Sequence, residues 1–334
     1  MEHRRVALLL PGQGAQRERM AAGLYRPGSV FAAHMDAFLT ALGTEGGKLR
    51  AQWLRPAPNP VLDDALVAQP LLFAVGHALG RVVRSWNAGP GVLLGHSAGE
   101  LAAACLAGVF DERAAATLLA ARSHALTGTG GGGMLAAAAA LEQVTGLLAG
   151  LPDGRAAVAA VNGPRQTVLA GPVEALARAE ARLRAAGVVV RPLRSGHAFH
   201  SPEMRPAAAR FEKYVARVRL LPPRTELWSA RTARPVDERQ AREPAFWAGQ
   251  LALPVLYWPA LRALLDAHAR GPGLVLLDAS ADRSLSAPAR RHPAVRSGTC
   301  VVVPLLPGRT AGTVEDEETL DAARERLAGE GLLA

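Results

Sequence analysis

The chain has 334 residues, 49% of them apolar and 20% charged, enough for one large core or two smaller ones. Its 38 Lys and Arg against 29 Asp and Glu leave a net charge of +9, which fits an acidic partner or a plain arginine bias with no partner behind it. Only 4% of residues are aromatic and no basic run alternates with them, which argues against a nucleic-acid stacking surface. Two cysteines, Cys105 and Cys300, supply neither a disulfide framework nor zinc-ligand spacing, so no metal site is expected. The apolar run after Met1-Glu2-His3-Arg4-Arg5 is too short for a signal peptide. No uninterrupted apolar stretch reaches the roughly 18–20 residues that span a bilayer. The expectation is a soluble, cytoplasmic protein without a membrane partner.

In chain order, Val6–Leu10 reads as a buried central strand that ends at Pro11-Gly12-Gln13-Gly14-Ala15-Gln16. That loop lacks the dinucleotide and Walker patterns, since Arg17 follows Gln16; its glutamine is instead suited to donate to a developing oxyanion. Residues 30–55 carry helical spacing at Phe31, Met35, Phe38, Leu39 and Leu42. After Pro56-Ala57-Pro58-Asn59-Pro60, an apolar helix is expected over 71–86, with Pro70 near its first turn. Next comes Val92-Leu93-Leu94, then Gly95-His96-Ser97-Ala98-Gly99, then a helix-forming run closed by Gly108. Strand, sharp turn and helix are the context that makes Gly-x-Ser-x-Gly a nucleophile elbow, with the Ser97 hydroxyl held at a strained turn above the sheet. The residues alone leave open a serine that only caps the helix. A further helix runs from Asp111 through Arg122 to Ser123, and Arg122 by itself could be no more than a helix-terminal cation.

Thr127–Gly133 holds five glycines and reads as a linker rather than an anion nest. Beyond it, strand (134–140), helix (142–149), strand (156–161), turn (162–165), strand (166–170), helix (172–186) and strand (188–193) follow in a βαββαβ order. The remainder returns to a helix over 206–220, a helix over 259–269, strands over 273–278 and 300–303, and a terminal helix over 315–327. The expected fold is therefore α/β: a large α/β-hydrolase-like subdomain with a parallel sheet (1–130 and 197–334), into which a small ferredoxin-like subdomain (131–196) is inserted.

Four segments, taken together, resemble the acyltransferases that load acyl carrier proteins. They are Pro11–Gln16, Gly95–Glu100, Arg122 and Gly196-His197-Ala198-Phe199-His200-Ser201. The resemblance spans Val6 to about Val303 and covers the malonyl-CoA transacylases of fatty acid synthesis and the acyltransferase domains of polyketide synthases. Gln69–Ala74 and Gly132–Leu135 look closer to the polyketide branch. The resemblance implies Ser97 as nucleophile and His200 as its base, with the other imidazole nitrogen held by the backbone carbonyl of Gln250. It implies an oxyanion hole from Gln13 and the N–H of Ala98, and Arg122 as a clamp on a malonyl-type carboxylate. His197 and Phe199 belong to a malonyl-selective signature in which Phe199 narrows the pocket, although His197 could equally be an exposed loop histidine. Ala98 stands where a larger side chain is usual, which pulls towards a roomier pocket.

The implied reaction is ping-pong transfer of malonyl from a coenzyme A thioester to the phosphopantetheine of an acidic acyl carrier protein, with no bound cofactor. The enzyme is expected to be monomeric and discrete, since no ketosynthase or carrier segment accompanies it, and to serve polyketide or antibiotic biosynthesis. Two alternatives stay open: carrier-to-carrier transfer of an aminoacyl or dipeptidyl group, and a serine hydrolase that passes the acyl group to water.

Overall fold

The structure is a computed structural model and describes residues 3–129, 131–151, 154–308 and 313–333. The run of apolar residues at the start forms β1 (Arg5–Leu10), buried after its first residue, as a strand covered on both faces requires. The helix expected over 30–55 is two helices, which corrects the sequence reading. α1 (Val30–Ala41) is capped by Ser29, whose side chain accepts the Ala32 N–H, and α2 (Thr44–Leu54) starts after Gly43, at φ 61°. A left-handed glycine ends α1, yet Leu42 and Leu49 keep the apolar spacing, so periodicity passes over the break.

α3 (Ala65–Ser85) begins six residues before the expected Leu71. The Asp64 side chain accepts the Leu66 N–H there, and Pro70 lies inside the helix rather than in its first turn. With 21 residues and an 18-residue window of mean hydropathy 1.5, α3 is long and apolar enough to cross a membrane, but 83% of that window is buried in the protein. It is the central core helix. Gly80 lets it approach α4 closely, because a Cβ at that position would meet Leu106 Cδ1 at 2.4 Å. β2 (Val92–Gly95), α4 (Gly99–Ala107) and α5 (Glu112–Ala125) follow, α5 being capped by Asp111.

β3 (Gly132–Ala137), α6 (Leu141–Leu148), β4 (Ala157–Gly163), β5 (Gln166–Pro172), α7 (Val173–Ala185) and β6 (Val190–Leu193) then build a four-stranded sheet in the order β4-β5-β3-β6. Its described pairs are all antiparallel, which with the βαββαβ order is the ferredoxin-like arrangement. Leu135, Val144, Leu169, Ala179 and Leu183 give this sheet its own core. The stretch expected as a linker is already strand from Gly132 onward, and Gly130 lies outside the described residues.

α8 (Arg205–Val215), β7 (Glu226–Ser229), β8 (Arg234–Pro235), a helix at Tyr257–His268, β9 (Leu274–Asp278), β10 (Val301–Pro304) and a helix at Thr313–Gly329 complete the chain. The large sheet runs β10-β9-β1-β2-β7-β8, parallel except for the short β8, and the sequence reading anticipated neither β7 nor β8. One face packs on α1, α3, α4 and α5. The other face, with Ala7, Leu9 and Leu94, packs on Leu261 and Leu264 and meets Ala160 and Val168 of the small sheet. Leu10 pairs with Gly95 in register, so the loops after β1 and β2 leave the sheet side by side, facing the small sheet.

Candidate active site

Ser97 follows β2 with φ 50°, a left-handed conformation that a non-glycine residue adopts only at a cost. Its neighbours explain how so tight a turn closes. A Cβ at Gly95 would sit 2.3 Å from the Glu100 nitrogen, and one at Gly99 would sit 2.3 Å from the Leu10 carbonyl. One at Gly12 would sit 2.4 Å from the His96 carbonyl, so the loop after β1 can lie on the elbow only because glycine is there. Ser97 thus stands over the start of α4, where the helix dipole favours negative charge.

The base arrives from the loop after β6. His200 is buried, has φ 63°, and places Nε2 2.7 Å from Ser97 Oγ. Its Nδ1 lies 3.1 Å from the Leu253 carbonyl, and its own N–H donates to the Leu251 carbonyl at 2.8 Å. A carbonyl can only accept, so the proton sits on Nδ1 and the Nε2 lone pair faces the serine. The expected partner, Gln250, is corrected to Leu253. Residues 249–251 form a single tight turn, after which the carbonyl of Leu253, three residues beyond Gln250, faces the imidazole. The Gln250 carbonyl makes a smaller contribution, and its side chain donates instead to the buried Glu100 at 2.6 Å.

Burial, reinforced by the charges of Arg122 and His96, lowers the His200 pKa to about 3. Burial likewise lowers His77 to about 3. The unfolded chain takes up these protons near the ordinary value of 6.5, so between the two values unfolding binds protons and stability falls as the pH drops. Each fully shifted imidazole contributes about 1.4 kcal/mol per pH unit in that window. Glu100 and Asp278, which burial shifts upward, hold protons in the folded state above their ordinary values of 4.5 and 3.8 and so oppose part of this loss there. Denaturant titrations from pH 6 to 4 should show the native protein losing about 1.4 kcal/mol more per unit than His200→Gln. Equal slopes would mean that His200 titrates normally. The same lowered value predicts no acid limb near pH 6.5 in kcat/KM for acylation.

Gln13 lies on the loop after β1 and lines the cavity, and its side chain is partly engaged. Its Nε2 donates to the Asp63 carbonyl at 3.3 Å, and its Oε1 accepts from Gln69 Nε2 at 3.1 Å. One Nε2 hydrogen is engaged in this way, which leaves the second as the side chain's remaining donor. The backbone N–H groups of Gln13 and Ala98 make no hydrogen bond among the described residues and remain as donors. The Ala98 side chain is buried and is not among the residues that line the cavity.

Arg122 is 1% exposed in α5 and donates through Nε to Gln69 Oε1 at 2.7 Å. Nη1 and Nη2 are buried without a hydrogen-bond partner, and burial lowers the pKa to about 10, leaving the group charged. Two buried, unpaired charged donors are costly unless a ligand completes them. Gln69 is the residue that sequence reasoning missed; an unexplained polar position in an otherwise apolar helix was the available signal. Asn162 is another, its Oδ1 lying 2.8 Å from His96 Nε2 and tying the small sheet to the elbow.

Ser97, His200, Gln13, Gln69 and Phe199 face a cavity of about 480 Å³, roofed by Met134, Ala160 and Val168 of the small sheet. His197, expected at the substrate, is not among its lining residues. Its Nδ1 lies 3.0 Å from Thr129 Oγ1 and its ring 5.2 Å from that of Phe199, so it buttresses Phe199 from behind.

A half-buried serine on an elbow paired with a buried imidazole, with free backbone donors beside it, defines an acyl-transferring enzyme of the serine class. The family model of the acyl transferase domain matches residues 8–319, and the chain belongs to that family. A component of the phenolphthiocerol/phthiocerol polyketide synthase of Mycobacterium tuberculosis is 36% identical over 290 residues, which is 86% of this chain and 19% of that protein. The chain thus spans about a fifth of the length of such curated relatives. The acyltransferase domain from the second module of the salinomycin polyketide synthase superposes with a TM-score of 0.86 at 32% identity, covering 99% of this chain and 75% of that one. The malonyl CoA-acyl carrier protein transacylase from Burkholderia pseudomallei does so at 0.76 and 30%, covering 87% of this chain and all of that one (100%).

Proposed function

We propose that this acyltransferase moves a malonyl-type group from a coenzyme A thioester to the phosphopantetheine thiol of an acidic carrier protein, within polyketide assembly in the cytoplasm. The observation that carries the reading is Arg122, whose Nη1 and Nη2 are buried without partners next to Gln69, a residue that lines the Ser97 cavity as Arg122 itself does not. A malonyl carboxylate would complete both nitrogens with paired charge-assisted bonds, a fit that neutral acyl groups cannot offer.

In the first half-reaction Ser97 Oγ attacks the thioester carbonyl while His200 Nε2 takes the hydroxyl proton. The oxyanion is met by the N–H groups of Gln13 and Ala98, an arrangement worth about 3–4 kcal/mol in such sites. Collapse breaks the C–S bond, and the departing thiolate takes the proton from His200. The carrier thiol reverses these steps: it gives its proton to His200, attacks the ester, and Ser97 recovers the proton as it leaves. Phe199, held by His197, narrows the cavity against an α-substituent. We take 131–196 as the inserted unit that roofs the site.

Intact mass measurement after incubation with malonyl-CoA, methylmalonyl-CoA and acetyl-CoA tests this reading. The expected result is a malonyl adduct that persists without carrier protein and is discharged by it. Discharge should slow as salt is raised, since the Debye length shortens to ~3 Å at 1 M. Rapid loss of the adduct to water would replace transferase with hydrolase, and aminoacyl loading as fast as malonyl loading would favour carrier-to-carrier transfer.

A further inference from the structure

A second polar cavity, of about 820 Å³, lies at the far end of α4 from Ser97. α4 starts at the elbow and its nine residues place this end roughly 13 Å away along the helix. Five arginines line the cavity: Arg81 and Arg84 from the end of α3, Arg113 from α5, and Arg219 and Arg224 from the segment before β7. Arg81 and Arg84 are half-buried, while Arg113, Arg219 and Arg224 are exposed at the rim.

Two acids, Asp111 and Glu112, also line the cavity, so five arginines face two carboxylates and neither acid pairs with them. Asp111 is used in capping α5, where it accepts the Ala114 N–H, and Glu112 faces His34 and His77. Among the described residues none of the five arginines forms an ion pair. They are close enough to repel one another: after burial itself, the neighbouring charges of Arg81 and Arg224 help lower the Arg84 pKa. Main-chain anchors hold the group in place. Arg84 Nη2 donates to the Leu106 carbonyl, the Arg224 N–H donates to the Ala107 carbonyl at 2.8 Å, and the Arg224 guanidinium lies directly over Gly108.

His34, His77 and Glu112 at one edge have ligand atoms within 4.8 Å of one another, a spacing that also suits a cation. Their hydrogen bonds argue otherwise. Arg81 Nε donates to His34 Nε2 at 3.2 Å, which leaves the proton on Nδ1, pointing at Glu112 Oε1 3.0 Å away. His34 therefore has no lone pair to turn inward, and the surrounding charge is positive.

We propose that this cavity binds a compact phosphorylated anion, a diphosphate or the phosphates of a nucleotide, at a site separate from the acyl-transfer centre. Guanidinium forks converging from three chain segments suit an anion with several acceptor oxygens, and the concave shape suits a small molecule better than an extended peptide. Calorimetric titration of the whole chain with inorganic pyrophosphate, with ADP and with orthophosphate tests this. Pyrophosphate is expected to bind one-to-one, more weakly as salt rises. Arg219→Ala/Arg224→Ala should weaken it about a hundredfold, about tenfold for each guanidinium removed. Arg113→Gln should weaken it about tenfold, with melting temperature and malonyl loading of Ser97 unchanged in both variants. ADP binding as tightly as pyrophosphate would assign the site to a nucleotide, and weaker ADP binding to a bare diphosphate. Absent pyrophosphate binding, binding indifferent to these substitutions, displacement by an acyl donor occupying the Ser97 cleft, or preference for an acidic peptide would each overturn the proposal.

Discussion

Ser97→Ala is expected to abolish the acyl-enzyme and to lower transfer by about four to six orders of magnitude, the range seen when a hydroxyl nucleophile is removed. The hydroxyl is 2.7 Å from His200 Nε2, and no other serine shares both the strained elbow and that imidazole. His200→Ala should slow acylation nearly as much, because a serine hydroxyl needs a base at neutral pH and Nε2 is the lone pair aimed at it. The double variant should then be little worse than either single one, since the two groups act as a unit. His197→Ala should leave the rate of the chemical step largely intact and alter donor choice, because His197 contacts Phe199 rather than the serine. The readout is the mass of the protein after a brief exposure to malonyl-CoA. An adduct on Ser97→Ala would remove the nucleophile assignment, and reversed effects of His197 and His200 would exchange their roles.

Arg122→Ala carries the second large effect. With the guanidinium gone, the carboxylate of a bound malonyl group would be left buried and unpaired, and breaking such a pair costs about 3–5 kcal/mol. Malonyl loading should fall by about two to three orders of magnitude while acetyl loading stays the same or rises. The preference for malonyl over methylmalonyl should survive, since it rests on Phe199 and the space of one methyl group, worth only ~1–3 kcal/mol. Arg122→Lys should rescue little, because an ammonium cannot present two parallel donors while also reaching Gln69 Oε1. Competition experiments with paired donors separate the two preferences. Malonyl and acetyl loading reduced equally by Arg122→Ala would show that the arginine supports the cavity wall and does not bind a carboxylate.

How far these residues could be read in advance depended on the range of the forces that place them. The elbow was legible because its causes are local: Gly95 and Gly99 are the residues whose Cβ atoms would strike neighbouring backbone, and the strand and helix beside Ser97 announce themselves by composition. The inserted sheet was legible for a similar reason, since a βαββαβ order with short connections closes in few ways. Helix boundaries were less so. Gly43 divides α1 from α2 through one backbone angle, and Asp64 starts α3 before its strongest apolar run, neither of which disturbs periodicity. The pairing of Ser97 with His200, 103 residues apart, entered through resemblance alone, because no local rule couples two loops across a sheet. Which carbonyl holds His200, which atoms of Gln13 are free, and which way His197 turns were decided only by the folded structure. Each depends on where side chains point after distant segments pack. The same holds for Arg122. Its sequence position marked the end of a helix, whereas burial against Gln69 of a neighbouring helix leaves two charged donors without a hydrogen-bond partner in the protein.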